Sequence, residues 1–77
     1  MSSVALVTGG NRGIGLAVAQ SLAAAGHDVV VTYRTGTPPV GFKSVIMDVT
    51  STESVDKAFD EIESAWGIPE IIVANAG

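Results

Sequence analysis

Apolar residues along this chain alternate between short continuous runs and stripes of helical period. Val4-Ala5-Leu6-Val7 is an unbroken apolar run, the signature of a parallel strand buried on both faces. From Ile14 to Ala25 the spacing changes to three and four, with Ile14, Ala17, Val18, Leu22 and Ala25 on one expected helix face. Gly26 is placed to end that helix in the left-handed conformation. Asp28-Val29-Val30-Val31-Thr32-Tyr33 is β-branched and predicts a second strand.

The stretch Thr35–Gly41 carries Pro38 and Pro39, which forbid a helix interior, and so predicts a turn-rich connection. Ser44–Met47 predicts a short third strand. Thr50 and Glu53 stand at capping-box spacing and open a second helix. Its apolar face is Val55, Ala58, Phe59, Ile62, Ala65 and Trp66, with Asp56, Lys57, Asp60, Glu61 and Glu63 toward water, and Gly67 and Pro69 stop it. Ile71–Ala74 is a fourth apolar run. Buried strands alternating with amphipathic helices predict an α/β fold with a mostly parallel sheet and right-handed crossovers.

Composition narrows the function classes. Seventy-seven residues allow one small domain, with 47% hydrophobic and 16% charged residues. A net charge of −4, with the basic residues Arg12, Arg34, Lys43 and Lys57 dispersed, argues against a nucleic-acid surface. The absence of cysteine excludes disulfides and thiolate metal sites. No signal peptide and no run long enough for a membrane span are visible, so a cytoplasmic location is expected.

The chemistry concentrates in Thr8-Gly9-Gly10-Asn11-Arg12-Gly13-Ile14-Gly15, between the first strand and the first helix. A helix start leaves backbone N–H groups without partners, and together with the helix dipole they form an anion site. Glycines allow positive φ and close approach of a phosphate. The spacing fits neither the common G-x-G-x-x-G pattern nor the ATP-type loop, which needs Gly-Lys-Ser/Thr. What remains is T-G-x-x-x-G-x-G, read either as a dinucleotide phosphate cradle or as a tight structural turn.

Three motifs together resemble the short-chain dehydrogenase/reductase family: Thr8-Gly9-x-x-x-Gly13-x-Gly15, Asp48-Val49-Thr50 after the third strand, and Asn75-Ala76-Gly77 after the fourth. Gly-Asn-Arg-Gly-Ile-Gly with Val-Thr-Tyr-Arg is most similar to the 3-oxoacyl-[acyl carrier protein] reductases. The resemblance implies a Rossmann-type sheet of order 3-2-1-4 with flanking helices, of which residues 1–77 form the amino-terminal, dinucleotide-binding part. It implies cofactor contacts from Gly9, Asn11, Arg12, Gly13, Ile14, Gly15, Arg34, Asp48, Val49, Asn75, Ala76 and Gly77, an acyl carrier protein-linked substrate, and a homo-oligomer.

The end of the second strand selects the cofactor. NAD-binding units place an acid there for the ribose hydroxyls, but this chain has Tyr33-Arg34-Thr35. A guanidinium pairs with a 2′-phosphate by charge-assisted bonds, so NADPH is expected over NADH, with Arg12 as a second partner in similar reductases. Asp48 resembles the aspartate that accepts from the adenine amino group, with Val49 behind the ring; a purely local role beside a helix N-terminus is the alternative. Asn75 is open to two roles, bracing the central strands or touching the cofactor. Ala74 stands where the family has a further asparagine. His27 and Trp66 are expected to serve structure, His27 beside a helix C-terminus and Trp66 on an apolar stripe.

The family's catalytic serine and Tyr-x-x-x-Lys have no counterpart here, so the chain as given is expected to bind cofactor without turnover and to be a portion of a longer reductase. Stopping at Gly77 leaves Ile71–Val73 as an apolar edge open to another chain. Rival readings are a non-catalytic or self-associating dinucleotide-binding module and a purely structural domain.

Overall fold

The computed structural model describes residues 3–75. Its elements, in chain order, are β1 (Val4–Thr8), α1 (Gly13–Ala24), β2 (Asp28–Tyr33), β3 (Lys43–Ile46), α2 (Thr52–Ala65) and β4 (Ile71–Val73). The strands form one four-stranded parallel sheet in the order β3-β2-β1-β4. This is the Rossmann-type α/β arrangement, with one helix on each face.

Alternation along the strands divides the core in two. Val4, Leu6, Val30, Val45 and Met47 face α2, where Ala58 and Ile62 are buried and Val55, Phe59 and Trp66 pack beside them. Ala5, Val7, Val29 and Val31 face α1 through Ala19, flanked by Val18, Leu22, Phe42, Ile71 and Val73. Every residue of β1 is buried, as its unbroken apolar run predicts. No helix among the described residues is long and apolar enough to cross a membrane.

Both helix ends reveal their chemistry. Gly26 has φ +96°, and its N–H donates to the Ala23 carbonyl at 3.0 Å while that of His27 donates to Leu22 at 3.1 Å. That pair of bonds is a Schellman motif, which stops α1 where the glycine predicts. His27 then places Nδ1 2.8 Å from the Ser3 hydroxyl, a structural tie at the amino-terminal edge of the sheet.

Two expectations are corrected. The capping box Thr50/Glu53 does not form: Ser51 is the N-cap, and its hydroxyl accepts from the Ser54 N–H at 3.3 Å. Thr50 is unavailable because its hydroxyl and amide both donate to Asp48 Oδ1, at 2.7 and 3.0 Å. The buried face of α1 is also rotated from the expected one. Gly15 and Ala19 face the sheet, Val18 and Leu22 are half-buried, and Ile14, Ala17 and Ala25 are exposed. Helix α1 is apolar nearly all round, so periodicity alone does not define which face turns inward.

Ile62→Ala is expected to destabilise the chain by about 3 kcal/mol, because a fully buried side chain leaves a cavity. Ser51→Ala costs about 1 kcal/mol through the lost cap. Urea unfolding followed by circular dichroism measures both, and equal stability of wild type and Ser51→Ala would contradict the observed cap.

Candidate functional site

The carboxyl ends of parallel strands beside a switch in strand order are where α/β sheets bind ligands. Here that region is a cleft of ≈ 530 Å³ lined by Gly9, Asn11, Arg12, Thr32, Tyr33, Arg34, Thr35, Met47, Val49, Thr50 and Asn75.

The glycine loop forms its floor. Gly9 and Gly13 adopt φ +65° and +62°, a conformation that L side chains rarely adopt. The N–H of Gly10 donates to the Thr32 carbonyl at 3.1 Å, tying the loop to β2. A Cβ on Gly10 would lie 2.6 Å from Val31 Cγ1, so this position is as constrained as the motif glycines. Arg12 is the N-cap of α1, extended at φ −164° and ψ 167°, and makes no side-chain capping bond. No acidic residue occupies the first turn of α1. The first-turn N–H groups, which a helix cannot satisfy internally, have no side-chain cap here.

Gly15 sets how closely α1 approaches the loop. A Cβ there would run into the Gly9 carbonyl and Asn75 Nδ2. Asn75 closes this corner: its N–H donates to Thr8 Oγ1 at 2.9 Å, and its side-chain amide reaches the Gly9 carbonyl at 3.5 Å. Thr8 Oγ1 in turn donates to the Val73 carbonyl at 3.4 Å. Both roles open to Asn75 are thus compatible, since it braces the loop and also lines the cleft. On the opposite side, Asn11 Nδ2 donates to the Thr35 carbonyl at 3.1 Å and reaches that of Thr37 at 3.5 Å.

Asp48 does not line the cleft. Its carboxylate is turned into a local loop in which Thr50 donates twice to Oδ1, and its N–H donates to the Ser54 hydroxyl at 2.8 Å. The Thr50 hydroxyl bond, then the Thr50 amide bond, hold its pKa below the ordinary 3.8; partial desolvation opposes them, and the Arg34 guanidinium adds a smaller pull downward.

The structure therefore gathers Gly9, Asn11, Arg12, Arg34, Val49 and Asn75 around one cleft and sets Gly13 and Gly15 at the adjoining helix start. Ile14 is 76% exposed and turns away, onto an apolar groove with Ala17, Val18, Ser21 and Leu22. Ala76 and Gly77 lie outside the described residues. Thr32, Tyr33, Thr35, Met47 and Thr50 also line the cleft, although the sequence reading names none of them as a cofactor contact. Only their position at strand ends, next to Arg34 and Asp48, could have signalled them.

Fold and site together define a Rossmann-type α/β unit with a cleft at the carboxyl ends of its parallel strands. The chain belongs to the short chain dehydrogenase family, whose model matches residues 3–77. It is 53% identical over 77 residues to the 3-oxoacyl-[acyl-carrier-protein] reductase MabA of Mycobacterium tuberculosis, covering 100% of this chain and 31% of that protein. To the 3-oxoacyl-[acyl-carrier-protein] reductase FabG of Aquifex aeolicus it is 41% identical over 86 residues, covering 96% of this chain and 35% of that one. Its fold superposes on the ligand-free aldohexose dehydrogenase of Thermoplasma acidophilum with a TM-score of 0.90 and 29% identity, covering 99% of this chain and 30% of the other. The chain thus spans about a third of the length of these relatives.

Gly15→Ala is expected to cost roughly 1–3 kcal/mol, because backbone and a bracing amide must shift to admit the methyl; thermal unfolding measures it. Asp48 offers a test by pH. Its folded pKa is lowered, so its contribution to stability is present above 3.8 and is lost as pH falls through the folded value. Carboxyl-carbon NMR should place its midpoint below 3.8 and show Thr50→Val moving it upward. An unmoved midpoint would contradict the bonding described.

Proposed function

We propose that this chain is the cofactor-binding portion of an NADPH-dependent carbonyl reductase acting on a 3-oxoacyl-[acyl carrier protein]. The observation that carries the cofactor reading is Arg34, on the same cleft as Arg12, at the end of β2 where Tyr33-Arg34-Thr35 holds no acid. An acid there would repel a 2′-phosphate, whereas guanidinium groups bind it by charge-assisted hydrogen bonds.

The residues present fit a dinucleotide. The uncapped first turn of α1 offers N–H donors to the diphosphate, and the space a Cβ would fill at Gly13 is open. Arg34 and Arg12 meet the 2′-phosphate, while Val49 stands against the adenine. Asp48, with Oδ1 already engaged by Thr50, acts mainly by shaping the turn that presents Val49. When bound, NADPH supplies the hydride that reduces a ketone.

The substrate reading rests on what MabA and FabG are named for and on the 53% and 41% identities. The proton donor and the acyl contacts are assigned to a part of the reductase other than residues 1–77, which makes this chain by itself a binding unit without turnover. A homo-oligomeric, cytoplasmic enzyme is the accompanying proposal. The open β4 edge, where Ile72 is 55% exposed, supports association with further protein. It equally favours the second reading, a self-associating dinucleotide module.

Titration of the chain with NADPH and NADH tests the cofactor reading. NADPH should bind about tenfold more tightly, and Arg34→Ala should remove that margin while leaving NADH affinity unchanged. Equal affinities in the wild type would sink it.

A further inference from the structure

We propose that Asn11 is a positioning residue for 2′-phosphate selection, latching the turn that follows Arg34 onto the glycine loop. The inference rests on the NADPH reading and deepens it, by naming what holds Arg34 in place.

The connection from β2 to β3 contains no helix, and Arg34, Thr35, Gly36 and Thr37 are all exposed. Gly36 takes φ +88°, and Pro38 and Pro39 follow it. Such a segment has little packing of its own to fix its path. Among the described residues, the side chain that hydrogen-bonds to its backbone is Asn11, whose Nδ2 donates to the Thr35 carbonyl at 3.1 Å and approaches that of Thr37 at 3.5 Å.

An amide nitrogen carries two protons and can serve two carbonyls at once; a carboxylate of the same shape has none to give. The fit is close, since a Cβ on Gly36 would stand 3.2 Å from Asn11 Nδ2. The latched carbonyl belongs to the residue directly after Arg34, so the bond sets where the Arg34 backbone lies at the cleft rim. Arginine loses much rotamer freedom on binding a phosphate, and a fixed backbone reduces the further ordering required. Asn11 therefore acts on the 2′-phosphate through Arg34.

Adenosine 2′,5′-bisphosphate and adenosine 5′-monophosphate differ by the one phosphate at issue and need only the adenosine half of the cleft. NMR titration of the full chain with each gives the 2′-phosphate preference as a ratio of affinities. Asn11→Leu, close in size but without donors, should cut that preference about fivefold. Amide exchange at Gly36 and Thr37 should speed up in the same variant. Arg34→Ala should abolish the preference, and adding Asn11→Leu to it should change nothing more. An Asn11→Leu chain that keeps the preference lost in Arg34→Ala would overturn the latch while sparing the phosphate reading. A wild type with no preference, unaffected by Arg34→Ala, would overturn both.

Discussion

The close approach of Gly15 to the Gly9 carbonyl governs this structure. No side chain fits between the first turn of α1 and the loop that leaves β1. That contact sets the rotation of α1 about its axis, and the rotation decides what the helix buries. With Gly15 against the loop, Ala19, one turn on, meets the sheet, and Ile14 is carried outward. The same contact aims the uncapped helix start at the ends of the strands. Packing and the proposed phosphate site thus have one cause.

Legibility followed how local each determinant is. Gly26 announced the end of α1 because a left-handed cap depends on one residue and its neighbours. The run Val4–Val7 announced a strand buried on both faces, since burial suppresses alternation. The order β3-β2-β1-β4 came from the family resemblance, carried by motifs at three strand ends, and the structure agrees. The inward face of α1 was illegible because the helix is almost wholly apolar, and a contact through a glycine settled its rotation. The cap of α2 shifted by one residue for a different reason: Asp48 competes for Thr50, which spacing alone does not reveal.

The cleft was legible where glycines and charges mark it and obscure where ordinary residues shape it. Gly10 passed as a spacer between motif glycines, yet its lack of a side chain lets the loop lie against Val31. Thr32 is buried at the end of β2, and its carbonyl holds Gly10 in place. Tyr33 and Met47 enter the cleft because strands pair in register, Tyr33 opposite Ile46, which places their neighbours side by side. Such residues carry no signature of their own. Their role comes from pairing between segments distant in the chain.

Two asparagines tie the loop to the two sides of the sheet. Asn75 joins it to the end of β4 through the Gly9 carbonyl and Thr8, and Asn11 joins it to the turn after β2 through Thr35. A flexible glycine loop alone would hold a diphosphate poorly, because ordering it on binding costs the entropy that glycine brings. Bracing from both sides meets part of that cost during folding. It also makes the helix start and Arg34 features of one braced unit. On the proposed cofactor reading, selection between dinucleotides depends on a fixed distance between the helix start and a guanidinium, and not on the charge of Arg34 alone.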